Sequence, residues 1–458
     1  MGIQLGLSRV VKLLQQLGNP HLNSYKTIHV AGTNGKGSTV AFLSSILTQA
    51  KIKNGRFTSP YLLCYNDSVS VNNEAYPASK FKDVIEVVKK QNELMQIGCS
   101  EFEILAATAF KIFELEGVEI ALVEVGLGGR LDATNVLRPY KVDEKISSGG
   151  VIATGITKIG LDHVNVLGNS LRAISAEKAG ILKKNVPCVL DRTNHPDVLD
   201  VFKRRSSELN SELYLVDGRH EPEVFSHKQW LQDNSPDVYL PQDFEQDAKV
   251  KVDYQLHNLA VSLKLVDILN LQKHKKLYSP GGVINVSPQN VRLGLQNSSW
   301  PGRLQHVTIA EMGLSFLLDG AHNQDAARGL AQFLRKSHLG TKGIIFVVAL
   351  GKGKSISEFL RILVDSHYDT LFPTVFTTPE NMPWVSCYSD RDLINESTRV
   401  LGDVRDLGEK NSCLDYIFKH ISYLREQGDT RPVVVCGSLY LCSDVLRYVD
   451  GKIHHCAS

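Results

Sequence analysis

The chain has 458 residues, 43% hydrophobic and 22% charged, enough for a large buried core and, at about 150 residues per domain, two or three domains. Its 51 basic and 49 acidic residues leave a formal net charge of +2, which provides no global field to draw in nucleic acid or an acidic membrane. The longest wholly apolar run, residues 344–350, is far shorter than the about 20 residues needed to cross a bilayer.

The first 190 residues alternate apolar strands, glycine turns and amphipathic helices. Residues 27–31 read as a short strand running into a glycine-rich turn, beyond which Val40, Leu43, Ile46, Leu47 and Ala50 share one helical face. Phe102, Leu105, Ala106, Ala109, Phe110 and Phe113 form a cleaner helical stripe, and residues 120–125 read as a strand of the buried type. This alternation predicts a mostly parallel sheet covered on both faces. Residues 217–253, rich in Pro, Asp, Glu and His, show no clear period and read as loops or an irregular subdomain. A second alternating unit follows Trp300-Pro301-Gly302-Arg303, with a strand at 316–318, a helix at 326–338 and strands at 344–350 and 433–436. The expected fold class is α/β in two domains, 1–303 and 304–458. Eight scattered cysteines with no CxxC pair suit a reducing compartment. The start lacks a cationic head and a long apolar stretch. Arg9 and Lys12 without acids weakly resemble a transit peptide, but the motif at His29 leaves little room for one, so cytosol is expected.

The most informative stretch is HVAGTNGKGST, residues 29–39, between a strand and a helix. In that setting backbone N–H groups and a helix N-terminus hold phosphate. Gly32, Gly35 and Gly37 let the backbone approach an anion closely. Thr33, Asn34 and Thr39 complete the candidate ATP contacts; Lys36 supplies a point charge for the outer phosphates and Ser38 a hydroxyl near the metal. The spacing departs from GxxxxGK[ST], because Gly37 separates lysine from serine. A tight turn with a solvated lysine is the alternative.

The string GTNGKGS (32–38) resembles the folylpolyglutamate synthase and dihydrofolate synthase family, part of the wider Mur ligase superfamily. The likeness spans most of the chain: LGLSRVVKLLQQLGNPH (5–21), TSPYL (58–62), Phe102-Glu103, EVGLGGRLDATN (124–135), GLDH (160–163), AEKAGI (176–181), WPGR (300–303) and DGAHN (319–323). It implies a P-loop ATPase domain with a mostly parallel sheet and a smaller Rossmann-like C-terminal domain. It also implies a ligase that uses ATP to join L-glutamate to a folate-type carboxylate. A carboxylate is a poor electrophile; taking the γ-phosphate gives an acyl phosphate, whose phosphate can leave when the glutamate amine attacks.

By the same resemblance, Lys36, His163 and Lys178 are the catalytic candidates. Ser59 and Glu124 would hold a first magnesium ion, and His163 ligate a second. Lys178 would be carbamylated, a carboxylate-like brace for the metal site; its alternative is an ordinary helical lysine paired with Glu177. Carbamylation needs an unprotonated amine, hence a lysine with a lowered pKa. Asn258 falls where the family contacts adenine, and Arg303 and Asp319 are further ATP candidates, with a hinge salt bridge the alternative for Arg303. His322 and Asn323 are placed near glutamate. For a pterin substrate the resemblance points to Leu5 and Gly6, to Ser100, Glu101, Phe102 and Glu103, and to Leu131, Asp132 and Ala133. Glu103 and Asp132 are the polar candidates, or else structural caps. GKGKS (351–355) reads as a basic surface loop rather than a second P-loop, and His454, His455 and Cys456 as a frayed tail.

Three departures bear on the substrate. Asn66-Asp67-Ser68-Val69 lacks an arginine that the family usually carries there, which weakens the case for extending a glutamate tail. Residues 139–150 form an insertion like that of fungal dihydrofolate synthases, and Asn34 stands where eukaryotic polyglutamate synthases tend to have Lys. The expected acceptor is 7,8-dihydropteroate. Folylpolyglutamate synthase, or a bifunctional enzyme, is the alternative, and a nucleotide-binding regulator without turnover the remote one. ATP, L-glutamate and the pterin are the only partners expected, no nucleic acid or membrane among them, with a monomer as the default.

Overall fold

Every residue of β1 (Lys26–Ala31) is buried, because the strand runs through the middle of an eight-stranded sheet. In chain order the others are β2 (Asn54–Phe57), β3 (Val69–Val71), β4 (Glu74–Ala75), β5 (Ile120–Glu124), β6 (Gly150–Ile156), β7 (Cys188–Asp191) and β8 (Leu213–Val216), arranged β4-β3-β2-β5-β1-β6-β7-β8. All pairings from β2 to β8 are parallel, and only β3 and β4 add antiparallel edges. The computed structural model describes residues 5–140, 149–219, 253–271, 278–279, 282–337, 342–382 and 384–451. Most of the irregular stretch expected at 217–253, residues 141–148 of the expected insertion and the tail histidines therefore lie outside the described residues.

Helices α1 (Ser8–Gln16), α2 (Pro20–Asn23), α3 (Lys36–Gln49), α4 (Ala78–Leu94), α5 (Glu101–Leu115), α6 (Val164–Leu167), α7 (Leu171–Ala179), α8 (Pro196–Glu208), α9 (Asp253–Leu271) and α10 (Pro288–Gln296) accompany this sheet. Ile28 and Val30 of β1 join one core with α3, α9 and α10, whereas α1, α4 and α5 build the core on the opposite face. Residues alternate sides along a strand, so His29 points away from Ile28 and Val30.

Helix α3 departs from the single apolar face expected of it. Every residue from Thr39 to Leu47 is buried. Its polar side is enclosed too: Ser44 Oγ donates to Asn54 Oδ1 at 2.7 Å, and Ser45 Oγ to the Gly294 carbonyl of α10 at 2.6 Å. A face that reads as solvated is covered by the next strand and by a helix 249 residues further along the chain.

The chain divides into two compact units, 1–299 and 300–458. A small antiparallel pair, β9 (Tyr278–Ser279) and β10 (Gly282–Val283), lies in the first. The second carries β11 (Gln305–Ile309), β12 (Leu314–Leu318), β13 (Ile345–Val348), β14 (Thr370–Pro373), β15 (Asp403–Val404) and β16 (Val433–Cys436) in the order β11-β12-β16-β13-β14-β15, parallel except for β11. With it come α11 (Gln324–Lys336), α12 (Ile356–Leu363), α13 (Asp390–Ser397), α14 (Leu414–Glu426) and α15 (Leu439–Val449). GKGKS is a loop whose Ser355 caps α12 by accepting the Glu358 N–H. Among the described residues no helix is long and apolar enough to cross a membrane.

The approach of α10 to α3 sets the glycine turn's helix in place. A Cβ on Gly294 would lie 2.5 Å from Ile46 Cα. Gly294→Ala is therefore expected to destabilise the chain by about 1–3 kcal/mol, read as a lowered urea midpoint at unchanged m-value.

Candidate active site

Parallel register brings the carboxyl ends of four strands together. Phe57 of β2 pairs with Val123 of β5, Val30 of β1 with Glu124, and Ala31 of β1 with Ile156 of β6. Ser59, Glu124, the 32–38 turn and residues 157–163 thus leave the sheet on one edge, the position at which open parallel sheets hold ligands.

The turn is built to receive an anion. Gly35 occupies the left-handed region at φ +95° and opens α3 with no capping side chain, so the first-turn N–H groups of Lys36, Gly37 and Ser38 present the positive end of a helix. A Cβ on Gly35 would overlap the Asn258 carboxamide of α9, and one on Gly32 the Thr157 hydroxyl. The N–H groups of Thr33 and Asn34 both donate to the Lys158 carbonyl, at 2.8 and 3.2 Å. Thr33 Oγ1 lies 3.1 Å from both the amide and the carbonyl of Gly160. Lys36 is not a solvated lysine: its side chain is 14% exposed, with Nζ 3.6 Å from Glu124 Oε1 and donating to the Thr33 carbonyl at 3.3 Å. Thr39, one turn in, is buried and donates through Oγ1 to the Asn258 carbonyl.

Lys178 is buried near the end of α7, and its Nζ donates to the Gly32 carbonyl at 2.8 Å. The pairing with Glu177 that was its alternative role is not formed. Adjacent helical residues point in different directions, and Glu177 turns instead to Arg130, 2.9 Å away, whose backbone N–H also donates to the Glu177 carbonyl at 2.7 Å. The loop after β5 comes this close because it carries glycine: a Cβ on Gly129 would lie 2.7 Å from the Glu177 carbonyl oxygen. Burial, and then the neighbouring Lys36 charge, push the Lys178 amine down to about 7, against the opposing pull of Asp162, Asp132 and Glu124.

Glu124 closes β5 as a buried carboxylate facing Lys36. Ser59 follows β2, joined to Pro60 by a cis peptide bond. His163 is exposed and takes the left-handed conformation at φ +51°, with its N–H donating to Asp162 Oδ1 at 2.8 Å. Among the described residues no three His, Cys, Asp or Glu side chains gather as a metal cage. That donor set still suits magnesium, which keeps water ligands and commonly takes only one or two carboxylates beside substrate phosphates.

The three stretches expected to meet a pterin are neighbours. Arg9, just after Leu5 and Gly6, donates through Nε to Glu103 Oε2 at 3.0 Å, tying the start of α1 to the start of α5. Ser100 caps α5 in a reciprocal box with Glu103. The Phe102 ring covers Gly126, where a Cβ would overlap it. Glu101 Oε2 and Glu103 Oε1 are buried and lack a hydrogen-bond donor among the described residues. Asp132 sits next to buried Ala133 and directly after Leu131, but its own oxygens are occupied: Oδ2 accepts the Leu127 N–H, and Oδ1 the Thr134 N–H and hydroxyl. It caps its own loop.

In the second unit Asp319 does similar work. It is buried; Oδ2 accepts the Leu304 N–H and Oδ1 the Ala321 N–H, both at 2.9 Å. Arg303 partly offsets the upward push that burial gives its carboxyl. His322 Nδ1 lies 2.8 Å from the Gly320 carbonyl, and Asn323 caps α11.

Sequence reading passed over Thr157, Lys158 and Asp162. All three lie in the run between β6 and His163, and a polar cluster directly after a fully buried strand was the available signal. It also passed over Arg130, whose partner is 47 residues away.

A family profile described as "Dihydrofolate synthetase, C-terminal domain" matches residues 303–448. The chain is 36% identical to the dihydrofolate synthetase of Saccharomyces cerevisiae, over 99% of this chain and 100% of that one. It is also 36% identical to a probable dihydrofolate synthetase of Schizosaccharomyces pombe, over 98% and 99%. Among solved structures, a Mycobacterium tuberculosis folylpolyglutamate synthase complexed with ADP and AMPPCP shares the fold, with a TM-score of 0.75 at 24% identity over 98% of this chain and 96% of that one.

The Lys178 environment makes a pH prediction. Its folded pKa of about 7 lies below the ordinary 10.5, so between these values the unfolded chain binds one more proton and stability rises with pH. Lys178→Met removes the charge. In carbonate-free buffer its stability advantage over the parent is expected to be largest near pH 6.5 and to shrink by about 1 kcal/mol per pH unit toward pH 9, followed by urea melts.

Proposed function

The chain belongs to the dihydrofolate synthase and folylpolyglutamate synthase family, and we propose that it is the ligase joining L-glutamate to 7,8-dihydropteroate, with ATP converted to ADP and phosphate. The observation that carries the chemistry is the convergence of Lys36, Lys178 and Glu124 on the glycine turn. Full-length likeness to fungal dihydrofolate synthetases supports the choice of acceptor.

ATP would lay its phosphates on the N–H groups of residues 35–38, with Lys36 beside the γ-phosphate. One oxygen of the dihydropteroate carboxylate attacks the γ-phosphorus and the bond to the β-phosphate oxygen breaks, giving acyl phosphate and ADP. The amine of glutamate then attacks the acyl carbon. The tetrahedral intermediate collapses with loss of phosphate and one proton, leaving the amide. Both stages concentrate negative charge where fixed backbone donors and the Lys36 ammonium stand, a preorganised arrangement that water cannot supply.

Ser59 and Glu124 would hold one magnesium ion and His163 a second; when bound, magnesium offsets phosphate charge. The neutral amine that burial favours at Lys178 is the form that adds carbon dioxide, and the resulting carbamate would turn a cation into an anion facing the metal. Asn258, packed on Gly35, is proposed for the adenine side, and Arg303 and His322 for further ATP and glutamate contacts, with Asp319 fixing the backbone at Leu304 and Ala321 beside them. Glu101 and Glu103 are proposed as the acceptors for the ring N–H groups of a pterin. Ser68, whose carbonyl accepts the Thr58 N–H next to Ser59, is buried and brings no cation to hold a glutamate tail. This favours dihydropteroate over an already glutamylated folate.

Phosphate release with Mg-ATP and L-glutamate, followed by mass analysis of products, tests the reading. Turnover is expected with dihydropteroate and not with tetrahydrofolate; the reverse would establish the polyglutamate synthase instead. Lys36→Ala is expected to lower kcat by about 10²–10³-fold, the usual loss when one preorganised transition-state donor is removed.

A further inference from the structure

Histidine is an expensive residue at the centre of a buried strand. His29 lies in β1 between Val123 of β5 and Thr154 of β6, fully buried, where an aliphatic side chain would satisfy the sheet. Its Nε2 is 2.9 Å from Thr134 Oγ1, and that hydroxyl is also in hydrogen-bond contact with Asp132 Oδ1. Asp132 takes the Leu127 N–H, the Thr134 N–H and the Thr134 hydroxyl, all of them donors, so its carboxylate acts as an acceptor only. The single Thr134 proton is therefore directed at Asp132, and the hydroxyl must accept from His29. This fixes the imidazole proton on Nε2 and leaves Nδ1 a bare acceptor, enclosed and without a partner among the described residues.

The three groups form one rigid path. At one end, Asp132 holds the loop from Leu127 to Thr134 that includes Leu131 and Ala133. At the other, His29 is three residues before Gly32, whose carbonyl receives Lys178. We propose that His29 is a positioning residue that, through Thr134 and Asp132, fixes the acceptor-binding loop to the strand delivering the phosphate turn. It does not touch ATP or the pterin. Its effect is to hold the acceptor-binding loop in the conformation that binds the acceptor, so that breaking the path weakens acceptor binding while the phosphate turn keeps its own contacts. The proposal rests on the reading of residues 131–133 as part of the acceptor site.

The test uses the full chain and whichever acceptor, dihydropteroate or tetrahydrofolate, supports turnover in the parent protein. That first measurement decides the substrate reading independently. Thr134→Val keeps shape and removes the hydroxyl; His29→Leu removes the donor; His29→Gln returns an N–H near the Nε2 position. Breaking a hydrogen bond on the path to a carboxylate is expected to raise the acceptor KM by about tenfold in Thr134→Val and His29→Leu, while the ATP KM changes by less than about twofold. His29→Gln is expected to recover most of the loss. A His29→Gln variant no better than His29→Leu, or equal rises in both KM values, would overturn the proposal in favour of a purely structural strand residue. Thermal melts run in parallel guard against unfolding. Should the histidine variants fail to fold, Thr134→Val alone decides by the same KM split.

Discussion

Two ammonium groups converge on one glycine turn, and most of the first unit is arranged to make that tolerable. Lys178 exchanges hydration for a single peptide carbonyl, that of Gly32, and lies close enough to Lys36 to feel its charge. A neutral acceptor is a poor substitute for water around a cation, so the amine yields its proton more readily than an ordinary lysine. Glu124 offsets Lys36 because β5 is the strand hydrogen-bonded beside β1 and ends one residue short of where the turn begins. A different strand order would put another residue there. The sheet order therefore decides the electrostatics of the turn.

The second requirement is steric. Lys178 can reach Gly32 only if α7 ends against the loop that follows β5, and that loop approaches through positions without side chains. Gly129 meets the Glu177 carbonyl and Gly180 meets Arg130, so the two segments contact through backbone. Asn135 then donates to the carbonyls of both Arg130 and Gly180, tying the contact from outside. The exposed Arg130–Glu177 pair adds little stability by itself. Its consequence is directional: it takes the acid next to Lys178 out of competition for the amine.

Local regularities made much of this legible in the sequence. The buried strands at 27–31, 120–125 and 433–436 and the glycine turn before α3 are specified by residues within a dozen positions of one another, so pattern reading located them to within about one residue. What depended on distant partners was not legible. The polar side of α3 reads as solvated because Gly294, 249 residues beyond Ser45, cannot be foreseen as its cover. Lys178 beside Glu177 reads as a surface ion pair because only the fold brings Arg130 to that acid. Asp162 lies within GLDH and Thr157 and Lys158 just before it, yet none shows a role in the sequence, since their importance lies in a backbone carbonyl, a missing Cβ opposite and a field felt through space.

The same distinction separates two kinds of acid in the molecule. Glu124 faces the Lys36 cation across 3.6 Å. Asp132 and Asp319, which composition alone would rank with it, give their oxygens to backbone N–H groups of their own loops. A carboxylate so engaged is a poor ligand for anything else, because a new partner must first displace a charge-assisted hydrogen bond. What it supplies is geometry. By fixing a loop's backbone it decides where neighbouring side chains and peptide groups stand, and a site that must align a carboxylate, a phosphate and an amine depends on that alignment more than on one further contact.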